Sequence, residues 1–283
     1  MLMMQLNDGT HIPAVGFGVF LIPNDGETYE AVLNALKAGY RHIDTAAAYM
    51  NESDVGKAVR DSGIPREEIF ITSKLWIQDY GYEAATKAIQ TSLHNLNMDY
   101  IDLYLLHQPY SDVLGAWKAL EEAKADGFIK SIGISNMTPK FYNEFVPQFA
   151  TKPSVNQVEF NPYFQQQALR ETMKADGVKI AAWAPLGQGN EALFKEEVLV
   201  QLAEKYHKNV GQVILRFEIQ EGIIPLPKSV TPSRIEGNID IFDFELSEAE
   251  MDAIRTLDKG KGNHDPEAPG VGDYLLENYK IHE

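Results

Sequence analysis

Four polar side chains stand at the downstream ends of strand-like segments and could together form a proton-donating centre: Asp44, Tyr49, Lys74 and His107. A free tyrosine has a pKa of about 10 and is a poor acid at neutral pH, but a nearby ammonium group lowers that pKa. Lys74 could supply the ammonium group, and Asp44 could keep it charged in a partly dry site. His107 could orient a carbonyl group by donating a hydrogen bond to its oxygen. This combination predicts a site that protonates an oxygen atom while negative charge develops on it.

Each of these residues also has an ordinary structural explanation. A strand-end aspartate is usually a turn former or a helix N-cap, a tyrosine is usually a half-buried packing residue, and a lysine can be a solvated charge. Their joint placement favours the functional interpretation. In a barrel of parallel strands all strands end on one face, where active sites are found, and adjacent strands lie about 5 Å apart.

Two other chemistries fit parts of this set. Lys74 could form a Schiff base, as in barrel aldolases, but that reaction needs a neutral lysine in an apolar setting, and Asp44 would work against it. His42 and Asp44 could offer two ligands to a metal ion. There is no His-x-His pattern, and His107 is the only other histidine at a strand end. We therefore predict no metal site and keep the aldolase as an alternative.

Strand and helix patterns alternate along the chain after an N-terminal hairpin at residues 1–13, whose turn is Asn7-Asp8-Gly9. The candidate strands are Ala14–Gly18, Arg41–Asp44, Ile69–Lys74, Ile101–His107, Ile129–Ser135, Ser154–Val158, Lys179–Trp183 and Ile223–Pro227. The helical patterns between them include Glu27–Ala38, Tyr82–Asn95, Val113–Asp126, Gln166–Asp176 and Val198–Phe217. The last of these patterns is expected to break near Asn209.

Eight βα units predict one α/β domain, residues 1–283, folded as a (β/α)8 TIM barrel. The long interval before the eighth strand predicts an extra helix there. Residues 263–283 are expected to form an irregular C-terminal tail over the barrel mouth. A doubly wound sheet is the alternative, but it would place a glycine fingerprint after an early strand. The one such pattern, Gly187-Gln188-Gly189-Asn190-Glu191-Ala192, comes late in the chain.

Composition restricts the partners that the protein could bind. Among 283 residues, 41 are acidic and 25 are basic, which gives a net charge of −16. Such a charge disfavours nonspecific binding to nucleic acid or to an anionic membrane. The chain has no cysteine and shows no secretory signal or long apolar segment. We expect a cytoplasmic monomer that acts on a small molecule.

Three segments resemble the signatures of the aldo-keto reductase family. They are, in chain order, Gly39–Ala46 with Tyr49 and Asn51-Glu52, then Leu96–Pro109, then Leu226–Val230 with Arg234 and Asn238. The resemblance covers essentially the whole chain. It implies a (β/α)8 barrel that binds NADPH in an extended form, without a Rossmann fold, and reduces aldehydes and ketones to alcohols.

The resemblance also implies a role for each of the four residues. Tyr49 would be the general acid, Lys74 and Asp44 would tune it, and His107 would orient the carbonyl group. All four positions are intact in this chain. A noncatalytic NADPH-binding barrel subunit is a further alternative, and the intact set argues against it.

The implied cofactor contacts extend along the ends of the later strands. Ser135, Asn136 and Gln157 would bind the nicotinamide carboxamide, because amides and hydroxyls both donate and accept hydrogen bonds. Trp183 would stack on the nicotinamide, where many relatives have tyrosine. Leu186 and Gly187 would approach the pyrophosphate closely.

A basic patch near the end of the barrel would bind the adenosine end of the cofactor. It consists of Lys228, Ser229 and Arg234, at the start of a predicted helix. Free backbone N–H groups at a helix start favour an anion, and arginine can hold a phosphate with two hydrogen bonds. The patch predicts NADPH rather than NADH, with Asn238 close to the adenine. A capped surface helix with solvated charges is the alternative explanation.

Phe20, Trp76 and His107 are expected to line the substrate pocket, with Tyr274 or Leu275 from the tail as further candidates. Relatives often have tryptophan where Phe20 stands. The connection after His107 is short, since a helical pattern resumes at Val113. In this respect the chain is similar to the bacterial branch that contains diketogluconate and glyoxal reductases. We expect an open mouth that accepts many aldehydes and ketones.

Overall fold

The structure is a computed structural model that describes residues 2–282. Met1 of the predicted hairpin and Glu283 of the predicted tail lie outside these residues. Two short strands, β1 (Met3–Gln5) and β2 (His11–Pro13), pair antiparallel and form the predicted hairpin. Gly9 in its turn has φ 88°, a left-handed conformation that glycine adopts without strain. The hairpin prediction is confirmed.

Eight parallel strands follow in chain order within one sheet. They are β3 (Phe17–Gly18), β4 (His42–Asp44), β5 (Phe70–Leu75), β6 (Ile101–Leu106), β7 (Ile129–Ser135), β8 (Val155–Glu159), β9 (Lys179–Trp183) and β10 (Ile224–Pro225). The first and last of these strands are shorter than the sequence predicted.

Backbone hydrogen bonds between β3 and β10 close the sheet into a barrel. The Gly16 N–H donates to the Pro225 carbonyl at 3.0 Å, and the Gly18 N–H donates to the Pro227 carbonyl at 3.1 Å. A Cβ atom at Gly16 would lie only 2.6 Å from Leu226, so glycine permits this close approach. The predicted (β/α)8 barrel is confirmed, and its strand ends all open onto one face.

Helices alternate with the strands around the barrel. They are α1 (Glu27–Ala38), α2 (Glu52–Asp61), α3 (Tyr82–Leu96), α4 (Val113–Ala125), α5 (Pro139–Phe145), α6 (Gln167–Met173), α7 (Glu191–Phe194), α8 (Glu197–Tyr206), α9 (Val210–Gln220), α10 (Pro232–Ile239), α11 (Glu248–Arg255) and α12 (Val271–Asn278). None of them, within residues 2–282, is both long and apolar enough to cross a membrane.

The interval before the last strand contains α7, α8 and α9, which confirms the predicted extra helical segment. The predicted break near Asn209 falls between α8 and α9. Asn209 caps α9: its side chain accepts from the Gln212 N–H at 2.9 Å, and the Gln212 side chain accepts from the Asn209 N–H at 2.9 Å. This capping box explains why one periodic segment forms two helices.

The tail differs from the prediction because part of it is helical. Residues Val271–Asn278 form α12, and Leu275 and Leu276 on it pack partly buried against the barrel core. Two prolines before the helix made the segment look irregular as a whole. The tail does lie against the barrel, since the Tyr110 hydroxyl donates to the Pro266 carbonyl at 2.6 Å.

Candidate active site

The barrel brings the four candidate residues together at the carboxyl ends of its early strands. Asp44 is the last residue of β4, Lys74 is near the end of β5, and His107 directly follows β6. Tyr49 lies on a short 3-10 turn after β4. The Lys74 Nζ atom is 2.6 Å from Asp44 Oδ1 and 3.1 Å from Tyr49 Oη.

The fully buried Lys74 ammonium group has an acceptor for each of its three N–H bonds. Besides Asp44 and Tyr49, the backbone carbonyl of Thr45 accepts from Nζ at 2.8 Å. Burial acts to lower the pKa of Lys74, but Asp44 and Tyr49 outweigh it, so that this pKa is raised. Gln157 donates to the second oxygen of Asp44 at 2.6 Å. Lys74 is therefore held in its charged form, as a buried ion pair requires.

The pKa of Tyr49 differs from the sequence-based expectation. Burial raises it, the Lys74 ammonium opposes burial, and Asp44 adds to it, so that the net direction is upward. The phenol therefore keeps its proton at neutral pH, which is the form that a proton donor needs. The prediction of a lowered pKa is wrong because the Lys74 ammonium lowers the pKa of Tyr49 by less than burial and Asp44 raise it.

His107 is held beside Tyr49 as a neutral ring. The two ring centroids lie 5.7 Å apart, and the Trp76 ring lies 5.1 Å from His107. Burial lowers the pKa of His107 well below its usual value, and the charge of Lys74 adds to this effect. Its Nδ1 atom is buried with no hydrogen-bond partner among residues 2–282. The proton of the neutral ring is thus better placed on Nε2, which can donate it in a hydrogen bond.

Aromatic side chains surround this centre, among them those predicted to line a substrate pocket. The Phe20 ring lies 5.0 Å from the Tyr49 ring, and Phe20 remains half exposed. Trp76 is buried, and its indole N–H donates to the carbonyl of Tyr279 in the tail at 2.8 Å. Tyr274, one of the two predicted tail residues, is exposed and its ring lies 6.2 Å from Tyr279. The contact with Trp76 thus comes from a tail residue that the sequence analysis did not name.

The residues predicted to bind a carboxamide also form one connected group. The Ser135 hydroxyl donates to the Gln157 carbonyl at 2.8 Å. The Asn136 amide nitrogen donates to the His107 carbonyl at 3.1 Å, and the Trp183 indole N–H donates to the Asn136 amide oxygen at 2.9 Å. These contacts join the ends of β6, β7, β8 and β9 into one polar network.

The residues predicted to bind phosphate groups lie on the later part of the barrel. Lys228 and Arg234 are exposed, and within residues 2–282 neither side chain forms an ion pair or hydrogen bond. No side chain caps the start of α10, which begins at Pro232. The chain has a net charge of −16, yet these two cations are not paired with its carboxylates. Lys228 and Arg234 are therefore suited to binding an anion such as a nucleotide phosphate.

The remaining predicted cofactor residues occupy two places. Ser229 is buried and accepts from the Thr231 N–H at 3.0 Å, while Asn238 is half-buried on α10. Leu186 and Gly187 precede α7, where Gly187 has φ 60°. The Gly187-x-Gly189 pattern forms a 3-10 turn late in the barrel and is not the fingerprint of a doubly wound sheet.

Comparison with known proteins decides the family. A sequence model described as the Aldo/keto reductase family matches residues 14–259. The chain belongs to this family. A glyoxal reductase of Bacillus subtilis (strain 168) is 48% identical over 257 residues, which are 90% of this chain and 92% of that protein. The predicted family, its bacterial glyoxal reductase-like branch and the carbonyl-reducing oxidoreductase class are confirmed.

Solved aldo/keto reductase structures share the fold. An aldo/keto reductase from Brucella melitensis is 46% identical with a TM-score of 0.87, covering 91% of this chain and 99% of that one. A Bombyx mori aldo-keto reductase solved in complex with NADP is 35% identical with a TM-score of 0.88, covering 99% of this chain and 98% of that one. The likeness extends over nearly the whole barrel.

The sequence analysis of this aldo/keto reductase missed a carboxylate that holds the tail. Glu159, the last residue of β8, is buried, and its oxygens accept the Asn263 and His264 N–H groups at 2.9 to 3.2 Å. A charged strand-end residue is the only signal that the sequence offers for this role. Residues 2–282 contain no cluster of three or more His, Asp or Glu side chains able to hold a metal ion.

Proposed function

We propose that this aldo/keto reductase reduces small aldehydes and ketones to alcohols with NADPH, with Tyr49 as the proton donor. The observation that carries the proposal is the Tyr49 hydroxyl placed 3.1 Å from the buried ammonium of Lys74, next to the neutral ring of His107. NADPH supplies a hydride to the carbonyl carbon when it is bound. NADP is the ligand named for the Bombyx mori relative, which supports this choice of cofactor.

The four residues have different roles in the protonation of the carbonyl oxygen. His107 donates a hydrogen bond from Nε2 that orients the oxygen, and Tyr49 transfers its hydroxyl proton to it. Negative charge then forms on the Tyr49 oxygen, where the Lys74 ammonium stabilises it across the existing hydrogen bond. Asp44 keeps Lys74 charged during this transfer.

The cofactor residues have distinct roles in the proposal. Ser135, Asn136 and Gln157 bind the nicotinamide carboxamide, and Trp183 offers its aromatic face to the ring. The pyrophosphate contacts come from Leu186 and Gly187. The adenosine end is bound by Lys228, Ser229, Arg234 and Asn238, and the two cations favour the 2′-phosphate that distinguishes NADPH from NADH.

Small carbonyl compounds with little charge suit the mouth. Phe20 presents an apolar ring beside Tyr49, and Trp76 presents one beside His107. The connection from β6 to α4 is short. One relative is named a glyoxal reductase, which supports small dicarbonyl compounds as substrates. A panel of aldehydes and ketones assayed with NADPH and with NADH tests the proposal. A narrow preference for one bulky steroid would contradict the broad tolerance expected here.

Two alternatives are weaker on structural grounds. A Schiff-base aldolase needs a neutral lysine, whereas Lys74 is held charged by Asp44 at 2.6 Å. Borohydride trapping of a substrate adduct on Lys74 would favour that reaction. A noncatalytic cofactor-binding subunit would not require Tyr49, Lys74 and His107 to converge, and NADPH consumption with a reactive aldehyde would exclude it.

We further propose that the protein acts as a cytoplasmic monomer without nucleic-acid or membrane partners, and as a single domain. The absence of cysteine and the net charge of −16 support this assignment. Light scattering on the purified protein should give the mass of one chain. A dimer mass would contradict the monomer.

The rate of aldehyde reduction should be nearly independent of pH across the neutral range. Reduction needs Tyr49 protonated, so activity is lost only as pH rises through a pKa raised above its usual 10.0. It needs His107 neutral, so activity is lost only as pH falls through a pKa well below the usual 6.5. Between these limits neither group titrates. The test is kcat for an aldehyde that does not ionise, measured at saturating NADPH so that phosphate titration has no effect. An inflection near neutral pH that disappears in His107→Gln would contradict this account.

Replacing Arg234 with alanine should weaken the binding of NADPH by about 10- to 100-fold, as expected for the loss of a charged hydrogen bond to phosphate. NADH lacks the 2′-phosphate, so its affinity should change little. The measurement is the Kd of each cofactor by isothermal titration. Lys87→Ala removes one positive charge from an exposed position on α3 and serves as the matched control. Equal losses of affinity for NADPH and NADH would contradict the proposed contact between Arg234 and the 2′-phosphate.

A further inference from the structure

The side-chain amide of Asn136 is held at both ends. Its oxygen accepts the Trp183 indole N–H at 2.9 Å, and its nitrogen donates to the His107 carbonyl at 3.1 Å. An indole N–H can only donate and a backbone carbonyl can only accept. If the amide were flipped, its NH2 group would face the indole N–H of Trp183, and its oxygen would face the carbonyl oxygen of His107. The two partners therefore select one of the two orientations of this amide.

The backbone of Asn136 is fixed as well. It has φ 58°, in the left-handed region that asparagine tolerates, and its N–H donates to the Gln157 carbonyl at 3.0 Å. The side chain is buried directly after β7, and Trp183 is the last residue of β9. With the main chain fixed, the orientation of the amide depends on its side-chain contacts, and the Trp183 indole N–H is the contact to its oxygen.

In the selected orientation the Asn136 amide oxygen can accept one more hydrogen bond. Both hydrogens of its NH2 group have partners, since the nitrogen is 3.1 Å from the His107 carbonyl and 3.3 Å from the Ser135 hydroxyl. The amide oxygen has two lone pairs, and the indole N–H uses one of them. The free capacity of the side chain is thus one lone pair, which matches a donor such as a carboxamide NH2 group.

We propose that Trp183 is a positioning residue: its indole N–H locks the Asn136 amide as an acceptor for the nicotinamide carboxamide. The inference rests on the proposed function, in which Asn136 binds that carboxamide. It assigns to Trp183 a polar role in addition to its aromatic face. Phenylalanine would keep an aromatic face at this position and lose the N–H, so the two roles can be separated.

The test compares three ligands by isothermal titration without substrate: NADP+, its 3-acetylpyridine analogue, and 2′,5′-ADP. The analogue has a methyl ketone in place of the carboxamide and so lacks the N–H donor, while 2′,5′-ADP lacks the nicotinamide. Trp183→Phe should weaken the binding of NADP+ by about 2- to 10-fold, the usual effect of one hydrogen bond. The affinities for the acetylpyridine analogue and for 2′,5′-ADP should stay unchanged. Trp117→Phe is the matched control, because it removes an indole N–H that donates to Glu121 on α4.

Two results would overturn the inference. Equal weakening of NADP+ and the acetylpyridine analogue would mean that the indole acts through its aromatic face alone. Unchanged affinity for NADP+ would mean that its N–H has no role. If the unsubstituted protein bound 2′,5′-ADP but not NADP+, the proposed nicotinamide site and this inference would both fail, whereas the first two results leave the proposed function intact.

A second variant tests whether the effect passes through Asn136. In an Asn136→Ala background the indole N–H has no amide to hold, so adding Trp183→Phe should cause no further loss of NADP+ affinity. The two substitutions should therefore be strongly non-additive, as expected for residues in contact. A further loss equal to that of the single Trp183→Phe variant would contradict action through Asn136.

Discussion

Tyr49→Phe should lower kcat for aldehyde reduction by about 100- to 10,000-fold, the usual effect of losing a general acid. The substitution removes one oxygen atom, the acceptor that lies 3.1 Å from Lys74 Nζ, and keeps the ring that packs against Phe20 and His107. NADPH affinity should stay within about twofold, because the residues proposed to bind it are unchanged. The measurements are single-turnover reduction of a reactive aldehyde and titration of NADPH.

Tyr29→Phe is the matched control for this variant. It removes the same atom at the surface, where the Tyr29 hydroxyl donates to Asp61 at 3.0 Å. The control should reduce the aldehyde at the unsubstituted rate. Turnover by Tyr49→Phe within about tenfold of that rate would refute the assignment of the proton donor, since general acids contribute more than this.

Lys74→Met should abolish most turnover and also destabilise the fold. Lys74 is fully buried, and its removal leaves the Asp44 carboxylate buried with one neutral partner, Gln157. Breaking a buried ion pair from one side typically costs about 3–5 kcal/mol of unfolding free energy. Turnover should fall at least about 100-fold, because no cation stabilises the charge that forms on Tyr49. Urea unfolding and the reduction assay measure the two effects.

The double variant Asp44→Asn, Lys74→Met separates stability from catalysis. It removes both charges, so unfolding free energy should largely recover, while turnover should stay low. The single variant has a pH signature as well. Burial raises the pKa of Asp44, and without Lys74 nothing charged opposes this. A raised pKa in the folded state means that stability is lost as pH rises, so Lys74→Met should be more stable in acid than at neutral pH. Recovery of turnover in the double variant would contradict the role of Lys74.

The parts of the site that sequence reasoning found are those fixed by strand position. Asp44, Lys74 and His107 sit at or near strand ends, and parallel strands bring such residues to one face of the barrel. Tyr49 follows five residues after Asp44 on a short turn, so its side chain could not move far from the same face. The family resemblance added the roles, and the barrel placed the residues within hydrogen-bonding distance.

Other features could not be read from residue types. The backbone carbonyl of Thr45 holds Lys74, and the carbonyl of Tyr279 holds Trp76 from more than two hundred positions away. Backbone groups carry no sequence signal, and long-range contacts with a tail depend on its path. The pKa of Tyr49 was predicted in the wrong direction because a sequence shows the neighbouring cation but not the extent of burial.

The most direct test of proton transfer from Tyr49 is a crystal structure of the protein with NADP+ and the alcohol product of a good substrate. We expect the product oxygen within about 3 Å of both the Tyr49 hydroxyl and His107 Nε2, the range of a hydrogen bond. We also expect the Tyr49 hydroxyl to remain hydrogen-bonded to Lys74 Nζ, as it is at 3.1 Å here. A product oxygen bound away from Tyr49, or a Tyr49 hydroxyl turned away from Lys74, would contradict the proton transfer on which the proposed function depends.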